Sequence, residues 1–314
     1  MISARTNAGS GVYTRIKREL RRNWLLYALI SLPVALLLIF HYAPLYGIQI
    51  AFRDYIPMKG FWGSDWVGLK HIRRFFTNYK FWEIMGNTLS INFYGLSTFP
   101  LSLLLALLLH YVPSRRFKKT VQMVSYAPHF ISMVVMCGII LQFFDARTGP
   151  FNAVMGLFGV KPVNYMAKPG AFPHIFIWTS IWQDLGYASI IYIAALSGIS
   201  PELHEAATMD GAGIIRRIWH VDIPGVLPTF SILLILRCGS ILSIGYEKIL
   251  LLQNNLNLNV SEVISTYVYK QGLTGSMPQY SYSTAIGLFV SLINLTTLLL
   301  VNRVVRKLNG SGIW

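Results

Sequence analysis

The sequence predicts an all-α membrane protein with six transmembrane helices and one helix–turn–helix loop on the cytoplasmic side. Three observations predict it. Hydrophobic residues make up 54% of the 314 positions and charged residues only 12%, and the mean hydropathy is +0.50; this balance belongs to membrane proteins and not to soluble domains. Six apolar runs reach the length of a bilayer-crossing helix: Trp24–Tyr42, Thr88–Tyr111, Gln122–Phe144, Phe172–Ile199, Val226–Tyr246 and Ser283–Val301. The long polar interruption between the fourth and fifth runs, Ser200–Pro228, is itself written as two short helices around a glycine.

The chain divides into a basic segment, residues 1–23, and a transmembrane domain, residues 24–314. A basic stretch before an apolar run is also the plan of a signal peptide. Trp24–Tyr42 is long enough to span and is followed by no small-residue cleavage site, which favours a retained first helix. The fourth run is overlong and contains Asp184, so a tilt, kink or break is expected there. Basic residues set the orientation. With the N-terminus cytoplasmic, the inner segments hold more than half of the 27 Lys and Arg in considerably less sequence than the outer ones. The short loop with Arg115, Arg116, Lys118 and Lys119 is the clearest inward marker. Both termini and the Ser200–Pro228 loop then lie in the cytoplasm. Because the net charge of +15 follows membrane side, without forming one interleaved patch, nucleic acid is not an expected partner.

In the polar loop, Ser200 suits the N-cap, Pro201 the first helical position, and Glu202 the first turn at the positive end of the macrodipole. Leu203, Ala206, Ala207 and Asp210 share a face, and the small alanines at its centre allow a partner to approach the backbone. Glu202 and Glu205 set charge beside that face. Gly211 is the residue best able to take positive φ at the helix end. A second short helix, about Ile214 to His220, carries Arg216 and Arg217, and Pro224 and Pro228 are expected to stop the chain after it.

Glu205-Ala206-Ala207, three residues, Gly211, nine residues and then Val221-Asp222-Ile223-Pro224 resemble the EAA loop of ABC-importer permeases, written EAA-x3-G-x9-I-x-L-P. Val221 stands for Ile and Ile223 for Leu, both conservative in size and polarity. The stretches Tyr46–Phe52, Pro128–Ser132, Thr266–Tyr269 and Tyr280–Ser283 resemble the maltose-type branch that imports oligosaccharides and polysaccharides. The resemblance implies a permease without catalytic residues, paired with a second homologous permease and two copies of a cytoplasmic ATPase that binds the ATP and Mg. It also implies an extracytoplasmic solute-binding protein that delivers the sugar. Glu202, Glu205, Ala206, Ala207, Asp210, Gly211 and Pro224 then form the ATPase-docking loop, in the inner membrane of a bacterium.

The residues offer no other chemistry. His204-Glu205-x-x-Thr208 lacks the second histidine of a helical zinc motif, so no metal site is expected. Gly63-x4-Gly68-Leu69-Lys70 lacks the end of a P-loop and lies outside, so no nucleotide site is expected either. Cys137 and Cys238 sit in apolar runs as small hydrophobes.

Two charges lie within spans, Asp184 and Arg237, and each costs on the order of 2.5–3.5 kcal/mol at mid-bilayer unless it meets a partner or a wet cavity. Either they satisfy each other as structural glue or they line a translocation path with Trp182 and Tyr187, whose rings suit sugar faces. Arg237 adds a planar fork suited to carboxylates, which favours an acidic oligosaccharide. The first outer loop is crowded with Phe61, Trp62, Trp66, Phe75, Phe76, Tyr79, Phe81 and Trp82, as in an interfacial belt or a partner-binding face. The net positive outer side suits an acidic binding protein. Two rival classes remain: a secondary transporter, which requires repeated halves with broken helices, and an integral-membrane enzyme, which requires a convergent catalytic cluster.

Overall fold

The computed structural model describes residues 17–275, 277–310, 312 and 313. Of the expected basic N-terminal segment, residues 1–16 lie outside the described residues, and the remainder is helical up to the turn at Asn23.

Among the described residues four helical stretches are long and apolar enough to cross a membrane: Trp24–Phe52, Phe81–Tyr111, Ile214–Cys238 and Tyr280–Leu308. A fifth is possible if Arg115–Phe130 and Met133–Phe143, bent by 102°, count as one span. The expected fourth span is the helix Phe172–Ser197. Its 26 residues measure about 39 Å at 1.5 Å per residue, enough for a sixth crossing, although Gln183 and Asp184 make its middle polar. The arrangement is consistent with six spans.

Of the tilt, kink or break expected in the fourth span, a break is excluded, and the third span is the one that is broken. Phe172–Ser197 is one continuous helix. In the third, Pro128 lies in a 3-10 turn, Ala127–Phe130, Ile131 becomes extended, and Ser132 starts a new helix by accepting from the Val135 N–H. The fifth run also differs. Pro224 and Pro228 do not stop the chain: a π-turn, Ile218–Asp222, precedes Pro224, Pro228 is accommodated inside the helix, and helix continues from Ile214 to Cys238. Such a turn removes the demand for an ordinary i→i−4 bond at Pro224.

Packing is tightest where side chains are small. Leu101–Tyr111 lies along Phe172–Ser197, sharing an apolar cluster of Ala106, Leu107, Tyr192, Leu196 and Val226. Gly186 of Phe172–Ser197 meets the Ser125 carbonyl of the third span with no room for a Cβ. By contrast, Trp24–Leu37 buries no side chain in this chain.

The aromatic loop expected outside divides its rings between the interior and the surface. A short hairpin pairs Arg53 with Trp66 and Asp54 with Asp65, and a helix, Lys70–Phe76, follows. Phe75 and Phe81 are buried and pack with Phe289 of the C-terminal helix and with Phe76, whereas Trp62, Tyr79 and Trp82 stay exposed. Some of the basic residues expected outside are also committed internally. Lys80 and Lys270 both pair with the buried Glu262, at 2.6 and 3.3 Å, and the hydrogen bond to that carboxylate raises the affinity of Lys80 for its proton.

Candidate functional site

The polar loop forms a knob of two helical arms. Pro201–Met209 follows Ser200, which occupies the N-cap position without a side-chain cap bond. Gly211 takes φ +74°. Its N–H donates to Thr208 O at 3.0 Å, and the Ala212 N–H donates to Ala207 O at 2.9 Å. Together these two bonds make a Schellman closure, the reason a glycine is needed there. Glu202, Glu205, Ala206 and Asp210 are exposed and Ala207 is half-buried. This first arm buries no side chain, and Leu203, Met209, Ile215 and Trp219 hold apolar surface out to solvent around the knob. The second arm begins at Ile214 and passes through Pro224 directly into the expected fifth span. The sequence places the knob correctly but misses that its second arm and that span are one helix.

Beneath the knob, Asp222 is fully buried. Its Oδ2 accepts from the Tyr111 hydroxyl at 2.6 Å, and its Oδ1 lies 3.4 Å from His204 Nε2. Arg217 lies over the Tyr111 ring. The knob is thereby tied to the end of the second span.

Toward the other end of the same long helix is a cavity of about 560 Å³. Both Asp184 and Arg237 line it, with Asn92, Ser180, Gln183 and Lys248. They do not neutralise each other. Asp184 pairs with His129 Nδ1 at 2.9 Å, while no carboxylate lies within ion-pair distance of Arg237 among the described residues. The Arg237 guanidinium rests against Gly95, where a Cβ would stand 3.1 Å from Nη2. Lys248 is buried and donates to the Ser180 hydroxyl at 2.7 Å and the Phe176 carbonyl at 3.3 Å.

Tyr187 and Trp182 do not line this cavity. The Tyr187 ring stacks flat on His129 at 3.9 Å and 4°, holding the imidazole against Asp184. Trp182 lines a separate, almost wholly apolar recess of about 730 Å³ with Trp178, Phe143 and Phe151. A helix turns about 100° per residue, so neighbours in sequence face different surroundings.

Lys248, Asn92, Ser180 and Gln183 in the cavity wall, and His129 behind Asp184, are residues that the sequence reading does not assign to the path. His129 stands next to the Pro128 that breaks the helix, and the break aims it at Asp184. Lys248 is the one cation in the apolar stretch Tyr246–Leu252, a signal that was available. Gln183 completes the grip on the bend by donating to Ile131 O at 3.3 Å.

Residues 98–310 match the family described as binding-protein-dependent transport system inner membrane component. The chain is 39% identical to Protein LplB of Bacillus subtilis (strain 168), over 94% of this chain and 92% of LplB. It is 40% identical to the polygalacturonan/rhamnogalacturonan transport system permease protein YteP of the same strain, over 92% of this chain and 90% of YteP. A solved chain of a bacterial alginate ABC transporter, in complex with an alginate pentasaccharide-bound periplasmic protein, superposes with a TM-score of 0.86 at 35% identity, covering 95% of this chain and 100% of that one. The chain therefore belongs to the binding-protein-dependent inner membrane components and is a membrane-embedded ABC-importer permease that works with a solute-binding protein, not an enzyme.

Proposed function

We propose that this permease imports an acidic oligosaccharide and that Arg237 meets its carboxylates. The carrying observation is the Arg237 guanidinium, which lines the cavity with no carboxylate at ion-pair distance among the described residues. A fixed planar cation in a low-dielectric cavity favours bidentate carboxylate contact over a neutral hydroxyl. Buried Lys248 adds a second cation, and Asn92, Gln183 and Ser180 supply groups for hydroxyls. Two relatives agree with this chemistry: YteP is named for polygalacturonan/rhamnogalacturonan, and a second solved alginate transporter is described as importing an acidic polysaccharide.

In this reading the working assembly holds a second homologous permease, two copies of an ATPase and the external solute-binding protein, in the inner membrane with both termini cytoplasmic. The ATPase carries the ATP and Mg, and this chain contributes no nucleotide site. It docks on the knob through Glu202, Glu205, Ala206, Ala207, Asp210 and Gly211. Movement imposed there travels along Ile214–Cys238, a 25-residue helix about 38 Å long. That helix starts in the knob at Ile214 and carries Arg237 near its other end, so closure of the ATPase dimer alters the cavity directly.

The test is a panel of neutral and uronic-acid oligosaccharides loaded on the cognate binding protein, with uptake and ATP hydrolysis read in proteoliposomes. Acidic members should stimulate both, and Arg237→Gln should reduce that stimulation while assembly and basal hydrolysis persist. A neutral cognate sugar, or an Arg237→Gln variant that transports like wild type, overturns the reading.

A further inference from the structure

We propose that His110, His204 and Asp222 form a transition-metal site that staples the knob to the spans beneath it. The sequence makes no metal site of this helix, because His204-Glu205-x-x-Thr208 lacks a second histidine one turn on. The fold supplies that histidine from elsewhere. His110 stands at the end of the second span, and its ring lies 6.0 Å from that of His204. One ligand atom from each of His110, His204 and Asp222 can be chosen so that all three lie within 4.8 Å of one another.

The donor set is that of a three-ligand zinc site with an open fourth position: two imidazoles and a carboxylate. A tetrahedral ion with bonds of 2.0–2.1 Å holds its ligands about 3.3 Å apart. His204 Nε2 and Asp222 Oδ1 already stand 3.4 Å apart, so only His110 has to close in. An independent observation also points to a ligand. Asp222 Oδ1 is fully buried and has no hydrogen-bond partner, an arrangement that is costly for a carboxylate oxygen unless something positive meets it. The other oxygen, Oδ2, is fixed by the Tyr111 hydroxyl. Carboxylates that ligate metals are commonly oriented in this way by an outer partner.

A neutral His204 with its proton on Nε2 is the competing partner for Oδ1, and titration with a metal tells the two apart. Two neighbouring cations face the site, Arg217 over the Tyr111 ring and Lys118 acting on His110. Their charge opposes that of a divalent ion and lowers the affinity. Borderline metals that prefer imidazole, Zn2+ and Co2+, are the expected occupants, whereas Mg2+ and Ca2+ prefer all-oxygen ligands. Occupancy would join three elements at one point: the first arm through His204, the long helix through Asp222 and the second span through His110.

The experiment uses the assembled, chelator-stripped transporter titrated with Co2+ alone, followed by visible d–d absorption, with Zn2+ competition and thermal unfolding as further readouts. Wild type should show one tetrahedral site, displaced by Zn2+, that is missing from both His110→Gln and His204→Gln. Tyr111→Phe should weaken it on the order of 10–100-fold. His204 is on the exposed knob, so His204→Gln keeps the test decisive if Asp222→Asn does not assemble. Equal Co2+ stoichiometry and affinity in wild type and His204→Gln, or the lack of any tetrahedral spectrum, overturns the proposal.

Discussion

The knob and the cavity sit near opposite ends of one helix and are built in opposite ways. The knob is local. Its helix, its Schellman turn and its exposed carboxylates all come from consecutive residues, and its conformation depends on Gly211 at φ +74°. The cavity is assembled from at least three helices, and its charges are held by groups distant in sequence, as Asp184 is by His129 and Lys248 by Ser180. A local device fails when its one special residue is lost. An assembled device degrades in proportion to which contact is removed.

The sharpest contrast should come from Gly211→Val. Nothing lies within 4 Å of an added Cβ there, so the penalty is purely conformational. It is roughly 1–2 kcal/mol for leaving the right-handed region, and more for a β-branched residue. The knob should re-fold its turn and separate its two arms, with the chain still inserted and substrate-driven ATP hydrolysis close to abolished. Glu205→Lys should give the same outcome by reversing charge at the docking face. Full coupling with a retained ATPase in both variants ends the docking role.

Gly186→Ala comes next. A Cβ at this position meets the Ser125 carbonyl, which is backbone and cannot swing aside. Overpacking of this kind costs about 1–3 kcal/mol. A lower unfolding temperature of the detergent-solubilised assembly, with residual transport retained at low temperature, is the expected result. An unchanged melting curve means that the bent third span does not pack on Phe172–Ser197 as described.

The same contrast explains what was legible in the sequence. A motif of fixed spacing is a local record, so Glu205, Ala206, Ala207 and Gly211 could be read directly, as could the helix that carries them. That several helices are apolar enough to span was nearly as plain, because hydropathy is summed over many residues. The bend is harder to place, since Asp184 and the excess length mark the fourth span while Pro128 and the extended Ile131 break the third. In the fifth, proline was read as a stop because its π-turn remedy leaves no mark in composition. Trp182 and Tyr187 were grouped with Asp184 by proximity in sequence. Their rotation around the helix sends one to an apolar recess and the other behind His129. Pairings of that type are tertiary facts.

For the cavity itself, Arg237→Gln removes a charge but keeps donors. Hydrogen bonds to charged groups contribute about 1.5–3 kcal/mol, so uptake of an acidic sugar should fall on the order of ten- to hundredfold in kcat/KM. Basal ATP hydrolysis should stay at the wild-type level, the reverse of the pattern expected from the knob.

The smallest effect is the most discriminating. Gly95→Ala adds a methyl 3.1 Å from Arg237 Nη2 and 3.5 Å from Ile177 Cδ1. The second distance is ordinary contact. The first obliges the guanidinium, the far end of a flexible side chain, to move by a few tenths of an ångström. Helix propensity meanwhile improves by up to about 1 kcal/mol, so stability should hold or rise slightly. If Arg237 positions substrate, that displacement should cost a few-fold in uptake, visible as a higher KM with unchanged assembly. The decisive form is a double-mutant cycle, because residues in contact couple and independent ones add. In the Arg237→Gln background Gly95→Ala should lose its effect on uptake, there being no guanidinium left to displace. Equal loss in both backgrounds means that Gly95 shapes the cavity wall on its own account and that the resting place of Arg237 is incidental.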